Sequence, residues 1–448
     1  MPPVLAESKP LGSPLVKDTR LAHQAGGKAA AGYAVLGGKA AADYAVLGGR
    51  LAAKYAKQRG QTMSMDDADS QKADRSDLKS EDLVPVKLNH PALQLVRERA
   101  EQGSKPGQRT DAYKLGLVIE GGGMRGAVSG GALQALHDLG LKDAFDAVYG
   151  SSAGAINATY FLSDQRTGVD IYTEDIANQQ FIDLGRLLNR NGDQGPVLNL
   201  KFLLDYVMEE VKPLDWEAVL RSPIPLKVVA SSLDTLEPVM LDNFESKEDL
   251  RLCLKASANI PEIAGAPLVH RGQRLVDAAV FEAVPFRVAI ADGCTHVITL
   301  CTRPPFKGGR LHKAFSDVIT AAVKRAVLSP DYMKAAWQRE LDMLAADGLS
   351  TDEMLLMSLD EGSEKLPFFA GTHVYPIFPG DAARYAPVCT DVETLKAGVA
   401  EGGKAVMRVF RPSEEQVQAS ERAVENPGSA AVALNEVKDH ESDLRLSP

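Results

Sequence analysis

The sequence predicts an α/β protein built on a mostly parallel sheet. Three observations carry this: apolar runs of strand length, glycine-rich turns directly after them, and helix-like stretches after the turns. Leu115–Glu120 leads into Gly121-Gly-Gly-Met-Arg-Gly126 and a helical segment opening near Gly126. Phe145–Tyr149 leads into Gly150-Ser-Ser-Ala-Gly154 and a helical stretch over Ala155–Tyr160. Strands covered by helices on both faces read as continuous apolar runs, and the carboxyl ends of such strands are where α/β proteins usually place their chemistry.

The first turn has three consecutive glycines, which leave backbone N–H groups unobstructed by any Cβ at the start of a helix. That arrangement suits an anion, either a phosphate or the transient oxyanion of an acyl transfer. A nucleotide-binding module is one reading. It is weakened because no Gly-Lys-Ser/Thr ending follows and the dinucleotide fingerprint is matched only loosely. The second turn fits Gly-X-Ser-X-Gly with Ser152 at its centre, where Gly150 and Gly154 permit a sharp strand-to-helix turn that projects the hydroxyl above the sheet edge. A serine of this kind calls for an oxyanion hole.

Further along, Leu226–Ser231 and His296–Cys301 read as strands. The intervening residues 163–222 hold several helical patterns, notably Leu200–Met208, which suit core packing or the walls of an acyl pocket. Beyond Pro305 the pattern turns helical over Leu311–Leu328, Tyr332–Ala346, a short piece near Glu353, and Val392–Phe410, interrupted by the strand-like His373–Pro379. Pro91–Glu101 reads as a short lead-in helix with its proline in the tolerated first turn.

Gly-Gly-Gly-X-Arg-Gly followed by Gly-X-Ser-X-Gly resembles the patatin-like phospholipase family. Ala256-Ser-Ala-Asn-Ile-Pro261 resembles the family's Ala-Ser-X-X-X-Pro segment, and Asp277 stands at the place of the aspartate in its Asp-Gly-Gly/Ala turn. The resemblance covers residues 113–305 and, more loosely, the chain to about 410. It implies a three-layer α/β/α fold of the bacterial type, with a C-terminal helical extension and a flexible N-terminal arm. It also implies a catalytic dyad of Ser152 and Asp277, an oxyanion hole from Gly121, Gly122 and Gly123, and support from Arg125, Gly126, Gly150 and Gly154. The implied activity is that of a serine lipid acyl hydrolase, cleaving carboxylic esters of phospholipid, lysophospholipid or another acyl ester through an acyl-enzyme, with no cofactor and no metal. One departure stands out: Ala278 occupies the family's glycine position, and a positive φ there would strain alanine by about 1 kcal/mol or more. That departure keeps a catalytically weak, lipid-surface-binding scaffold as the alternative.

Two side-chain expectations follow. Arg125 is expected to bond nearby loop carbonyls in preference to facing a lipid phosphate. Asp277 is expected to help the serine by proximity in a dry pocket, since an ordinary carboxylate pKa of about 4 makes a weak base. The spacing of His137, His270, His296 and His373 selects none of them as a general base.

The chain has 448 residues, 45% of them hydrophobic, enough for one large domain with extensions. The expected division is 1–25 disordered, 26–60 a repeat arm, 61–112 linker and lead-in, 113–305 the catalytic domain, 306–410 the α-rich extension, and 411–448 a disordered tail. A formal charge of −10 argues against nucleic acid as a partner. Cys253, Cys294, Cys301 and Cys389 show no metal or redox spacing and read as reduced thiols. No apolar run is long enough to span a bilayer, and a cytoplasmic or membrane-peripheral location is expected. The arm repeats with an eleven-residue period: Gly26–Leu36, Gly37–Leu47 and Gly48–Gln58 stack Tyr33, Tyr44 and Tyr55 along one helical stripe beside a stripe of Lys28, Lys39 and Arg50. Met1–Gly60 holds nine Lys/Arg against three Asp/Glu, which suits contact of residues 26–58 with an anionic lipid surface. The glycine pairs and the alanine-rich face equally suit a flexible arm.

Overall fold

The computed structural model describes residues 86–187, 195–261, 263–305 and 351–413. The repeat arm, residues 61–85 of the linker, the helices expected over 311–328 and 332–346, and the tail from 414 lie outside the described residues.

Eight strands form one sheet: β1 Leu115–Ile119, β2 Ala147–Ser151, β3 Leu226–Ser232, β4 Glu237–Leu241, β5 Leu268–His270, β6 Gln273–Val276, β7 His296–Leu300 and β8 His373–Ile377. The order is β5-β6-β3-β2-β1-β7-β8, with β4 also pairing β3. β3, β2, β1, β7 and β8 run parallel, and β4, β5 and β6 join antiparallel at the β3 end. Every residue of β1, β2 and β7 is buried, so both faces of the central sheet are covered, as parallel sheets require. The covering helices are α1 Pro91–Glu101, α2 Gly126–Asp138, α3 Ala153–Leu162, α4 Trp216–Leu220, α5 Lys247–Ser257, α6 Phe286–Ala291, α7 Thr351–Met357 and α8 Val392–Phe410. The result is a three-layer α/β/α fold.

The apolar runs at Leu115, Leu226 and His296 become β1, β3 and β7, and the run from Phe145 becomes β2 after its aromatic residue turns into the core. The short strands β4, β5 and β6 carry no such signal. Their alternation is brief, and their faces are only partly buried. Phe202–Val211, within the helical pattern noted above, is wound as a π-helix and buries Leu203, Leu204, Val207 and Met208 in the main core.

The chain beyond residue 350 belongs to the same core. β8 pairs with β7 along its whole length, as an edge strand where Pro376, which lacks an N–H, is tolerated. α8 crosses α2 at close range, because Gly131 and Gly402 leave no Cβ between the helices: one added at Gly402 would sit 1.9 Å from the Val128 carbonyl oxygen. The sequence boundary expected near residue 305 therefore falls between two neighbouring strands of one sheet.

α1 is tied to the core by Arg99, whose side chain is 1% exposed. Its guanidinium donates to both carboxylate oxygens of Asp111 (2.7 and 3.0 Å), to Asp146 (2.7 Å), and to the carbonyls of Ala144 and Tyr113 (both 2.8 Å). All its nitrogens find acceptors, so its burial leaves no unmet hydrogen bond.

Candidate active site

β2 ends at Ser151 and α3 begins at Ala153, so Ser152 alone makes the turn between them, at φ 50° and ψ −124°. A non-glycine residue held at positive φ is strained by about 1–3 kcal/mol and persists only where its surroundings enforce it. The enforcement is tight packing. A Cβ at Gly150 would meet the Ala155 Cα at 2.5 Å, and one at Gly154 would meet the Ile119 carbonyl oxygen at 2.4 Å. Both flanking glycines are therefore required by space.

The backbone N–H of Ser152 donates to Ser257 Oγ at 2.7 Å, and that hydroxyl donates to the Val229 carbonyl at 2.5 Å. Ser257 closes α5 and is the serine of the Ala256–Pro261 segment; it fastens the turn to β3. The next link comes from the same segment, because the Asn259 carbonyl accepts from the Asp277 N–H at 2.9 Å. Neither Ser257 nor Asn259 was singled out by sequence. Their quoted motif was the available signal, but its hydrogen bonds are set only by tertiary structure.

Asp277 sits just past β6 and caps a 3₁₀ turn over Ala278–Val280, accepting from the Ala279 N–H at 2.7 Å through Oδ1. Its Oδ2 accepts from Ser152 Oγ at 2.8 Å, across 125 positions of sequence. The two side chains are 8% and 2% exposed, respectively. Burial pushes the Asp277 carboxyl up to about 6, against the lowering effect of the bonds from Ala279 and Ser152. The expectation of an ordinary carboxylate is thus corrected: desolvation disfavours its charge and makes it a stronger base than an exposed aspartate. The concern over Ala278 is likewise resolved. It lies in the 3₁₀ turn and is not among the described residues with positive φ, so alanine fits without strain.

The glycine turn lies against this pair. A Cβ on Gly121 would stand 3.0 Å from Ser152 Cβ. The Gly121 N–H is already engaged, donating to Ser151 Oγ at 2.8 Å and the Ala283 carbonyl at 3.2 Å, which removes it from the three amides expected to face an oxyanion. The N–H groups of Gly122 and Gly123 have no protein acceptor among the described residues. They stand at the start of a 3₁₀ turn over Gly123–Arg125 that runs into α2, where N–H groups point out of the helix. Gly123 takes φ 58°, and a side chain there would meet the Pro387 carbonyl at 2.6 Å. The Met124 N–H donates to that same carbonyl at 2.8 Å. From below, the buried Glu120 accepts from the Thr302 N–H at 2.6 Å, and Thr302 Oγ1 donates to the Gly121 carbonyl at 3.3 Å.

Gly126 opens α2 with its carbonyl accepting from Asn157 Nδ2 at 2.8 Å, and Asn157 Oδ1 accepts from the Tyr172 hydroxyl at 3.1 Å. Arg125 differs from its expectation. Its guanidinium bonds no carbonyl among the described residues, its Nε is buried without a partner, and it lies against Gly122. Desolvation lowers its pKa from the ordinary arginine value.

The histidines stand elsewhere. His137 meets Asp164 at 3.2 Å, His270 meets Asp249 at 2.8 Å, and His296 stacks on His373 at 4.8 Å. None of the described histidines hydrogen-bonds Ser152 or Asp277. Cys253, Cys294 and Cys301 are buried free thiols and Cys389 is half-buried. No described helix is long and apolar enough to cross a membrane.

Residues 117–290 match the family model of patatin-like phospholipase. The uncharacterized protein YjjU of Escherichia coli K12 is 25% identical over 198 residues, 43% of this chain and 52% of that protein, so the chain spans about half the length of this curated relative. Human GIVD cytosolic phospholipase A2, solved with methyl γ-linolenyl fluorophosphonate, aligns at a TM-score of 0.39 and 13% identity over 75% of this chain and 63% of its own. VipD from Legionella pneumophila aligns at 0.35 and 12% identity over 67% of each chain. The sequence match, together with the sheet order and the glycine and serine turns, identifies this chain as carrying a patatin-like phospholipase domain over residues 117–290.

Proposed function

We propose that the protein is a serine lipid acyl hydrolase in which Ser152 is the nucleophile and Asp277 the base. The observation that carries the reading is the 2.8 Å bond between Ser152 Oγ and Asp277 Oδ2 at a strained turn, beside two backbone amides with no protein acceptor among the described residues. Asp277 takes the hydroxyl proton as Oγ bonds to the ester carbonyl carbon. The carbonyl oxygen becomes an oxyanion held by the N–H groups of Gly122 and Gly123. The tetrahedral species collapses as its bond to the leaving oxygen breaks, and Asp277 returns the proton to that alcohol. Water then attacks the acyl-serine, giving its proton to Asp277; release of the fatty acid restores the serine hydroxyl.

The family match supports a lipid ester as substrate. Arg125 sharpens this to a phospholipid or lysophospholipid, because a half-buried guanidinium beside the glycine turn with no hydrogen bond among the described residues suits a phosphate oxygen. Contact of residues 26–58 with anionic lipid rests on the repeat alone. Deleting them should lower co-sedimentation with anionic liposomes and leave soluble-ester turnover intact.

Turnover of a short-chain p-nitrophenyl ester by wild type, Ser152→Ala and Asp277→Asn tests the reading. Serine- and aspartate-dependent release of nitrophenol is expected. Equal turnover by all three proteins, or none by wild type, would remove the hydrolase reading and leave a lipid-binding scaffold.

A further inference from the structure

α5 and the β5–β6 hairpin bring together three potential metal ligands that no part of the proposed reaction uses. Asp249 and Cys253 lie four residues apart on α5 and so share a face, and His270 ends β5 opposite them. Asp249 Oδ1 is 2.8 Å from His270 Nε2, Nε2 is 3.5 Å from Cys253 Sγ, and Sγ is 4.0 Å from Oδ1. A point equidistant from these three atoms lies about 2 Å from each, close to the bond lengths Zn²⁺ makes to oxygen, nitrogen and sulfur. We propose that Asp249, Cys253 and His270 bind one Zn²⁺ ion, with water as fourth ligand.

The donor set points to the metal. Mixed thiolate, imidazole and carboxylate ligands suit Zn²⁺ and exclude Mg²⁺ and Ca²⁺, which take oxygen. The other carboxylate oxygen of Asp249 is held by Arg271 at 2.7 Å and by the Glu245 N–H at 3.0 Å, fixing the orientation of the ligating oxygen. The Cys253 sulfur is buried, whereas Asp249 and His270 each keep a partly exposed edge that gives water access. On binding, the thiol loses its proton to solvent and the imidazole takes its Nδ1–H tautomer. The carboxylate and thiolate then neutralise the ion.

The position gives the ion a purpose. It would join the first turns of α5 to the β5–β6 turn. α5 ends at Ser257, which holds the Ser152 amide, and β6 runs directly into Asp277. The site is thus a clamp on the two elements that bring the serine and aspartate together, and it stands whether or not that pair hydrolyses an ester.

Co²⁺ titration of the full chain, after removal of metal by chelator, tests the site. One equivalent should produce a thiolate-to-cobalt charge-transfer band in the near ultraviolet, displaced by Zn²⁺. The band should be lost in Cys253→Ala and in His270→Gln, and affinity should fall at least about tenfold in Asp249→Asn. Zn²⁺ should raise the thermal midpoint of wild type and leave that of His270→Gln unchanged. Absence of the band in wild type, or its persistence in His270→Gln or Cys253→Ala, would overturn the proposal. Should Cys253→Ala fail to fold, His270→Gln decides alone, because its side chain lies near the surface.

Discussion

Two arginines within one domain show how differently this fold treats a desolvated cation. Arg99 is enclosed and fully bonded: two carboxylates and two carbonyls meet its nitrogens, and it fixes α1 and the chain before β1 to the loop before β2. Arg125 is half-buried with its Nε enclosed, yet its guanidinium has no hydrogen bond among the described residues. The same contrast runs through their surroundings. Around Arg99 the polar groups satisfy one another. Around the glycine turn, among the described residues, two amides have no protein acceptor, a serine is held at positive φ, and an aspartate is buried with a hydroxyl and one backbone N–H as its partners and no cation in contact. In the first region the polar groups tie elements of the fold together; in the second, groups without a protein partner among the described residues gather beside Ser152 and Asp277.

The largest expected effect lies on the unpaired side. Ser152→Ala should lower ester turnover by at least about 10³-fold, measured with a p-nitrophenyl ester. Ser152→Gly should do the same and also raise stability by about 1 kcal/mol in a urea melt, since glycine relaxes the strained turn. A loss of stability in Ser152→Gly would mean the turn stores no strain.

On the satisfied side, Arg99→Met should cost about 3 kcal/mol in the same melt, because it strands two carboxylates and two carbonyls. Arg125→Met should cost less than about 1 kcal/mol, having no hydrogen bond among the described residues to lose, while reducing turnover of a phospholipid more than that of an uncharged ester. Equal destabilisation by the two substitutions would erase the contrast.

The pH dependence separates the regions again. Asp277 must be ionised to accept the serine proton, so kcat/KM should fall below pH about 6 by about tenfold per unit. Its stability effect has the opposite sign. The folded carboxyl keeps its proton up to about 6, whereas an unfolded one loses it near the ordinary 3.8, so this group's contribution weakens as pH rises through that window. An acid limb near pH 4 would show that burial does not raise this carboxyl. The smallest effect belongs to Ala278→Gly. Since residue 278 has no positive φ, glycine should give no gain in turnover and a stability loss of about 0.5–1 kcal/mol.

Legibility in the sequence followed how local each signal was. β1, β3 and β7 announced themselves because buried parallel strands are apolar at every position, and α1 and α8 because their caps and periods are contained within their own residues. The serine turn was readable because both glycines sit within two residues of Ser152 in one short pattern, although the contacts that demand them come from Ala155 and from Ile119 on β1. The antiparallel strands were hidden because three to five half-exposed residues carry too little pattern. Gly121 could not be separated from Gly122 and Gly123 by sequence, since only tertiary packing shows that its amide is engaged by Ser151 and Ala283. Ser257 and the Asp249–Cys253–His270 group were opaque for the same reason. Ser152 lies 105 positions from Ser257, and His270 lies 17 and 21 positions from Cys253 and Asp249, so only the Asp249–Cys253 pair has a local spacing.

The central claim is that one hydroxyl in this protein is activated and that it belongs to Ser152. Incubation with a fluorophosphonate, followed by proteolysis and mass mapping, tests it most directly. A single covalent adduct on the peptide containing Ser152, absent in Asp277→Asn, is the expected result. An unlabelled protein, or an adduct carried by a different serine, would contradict it.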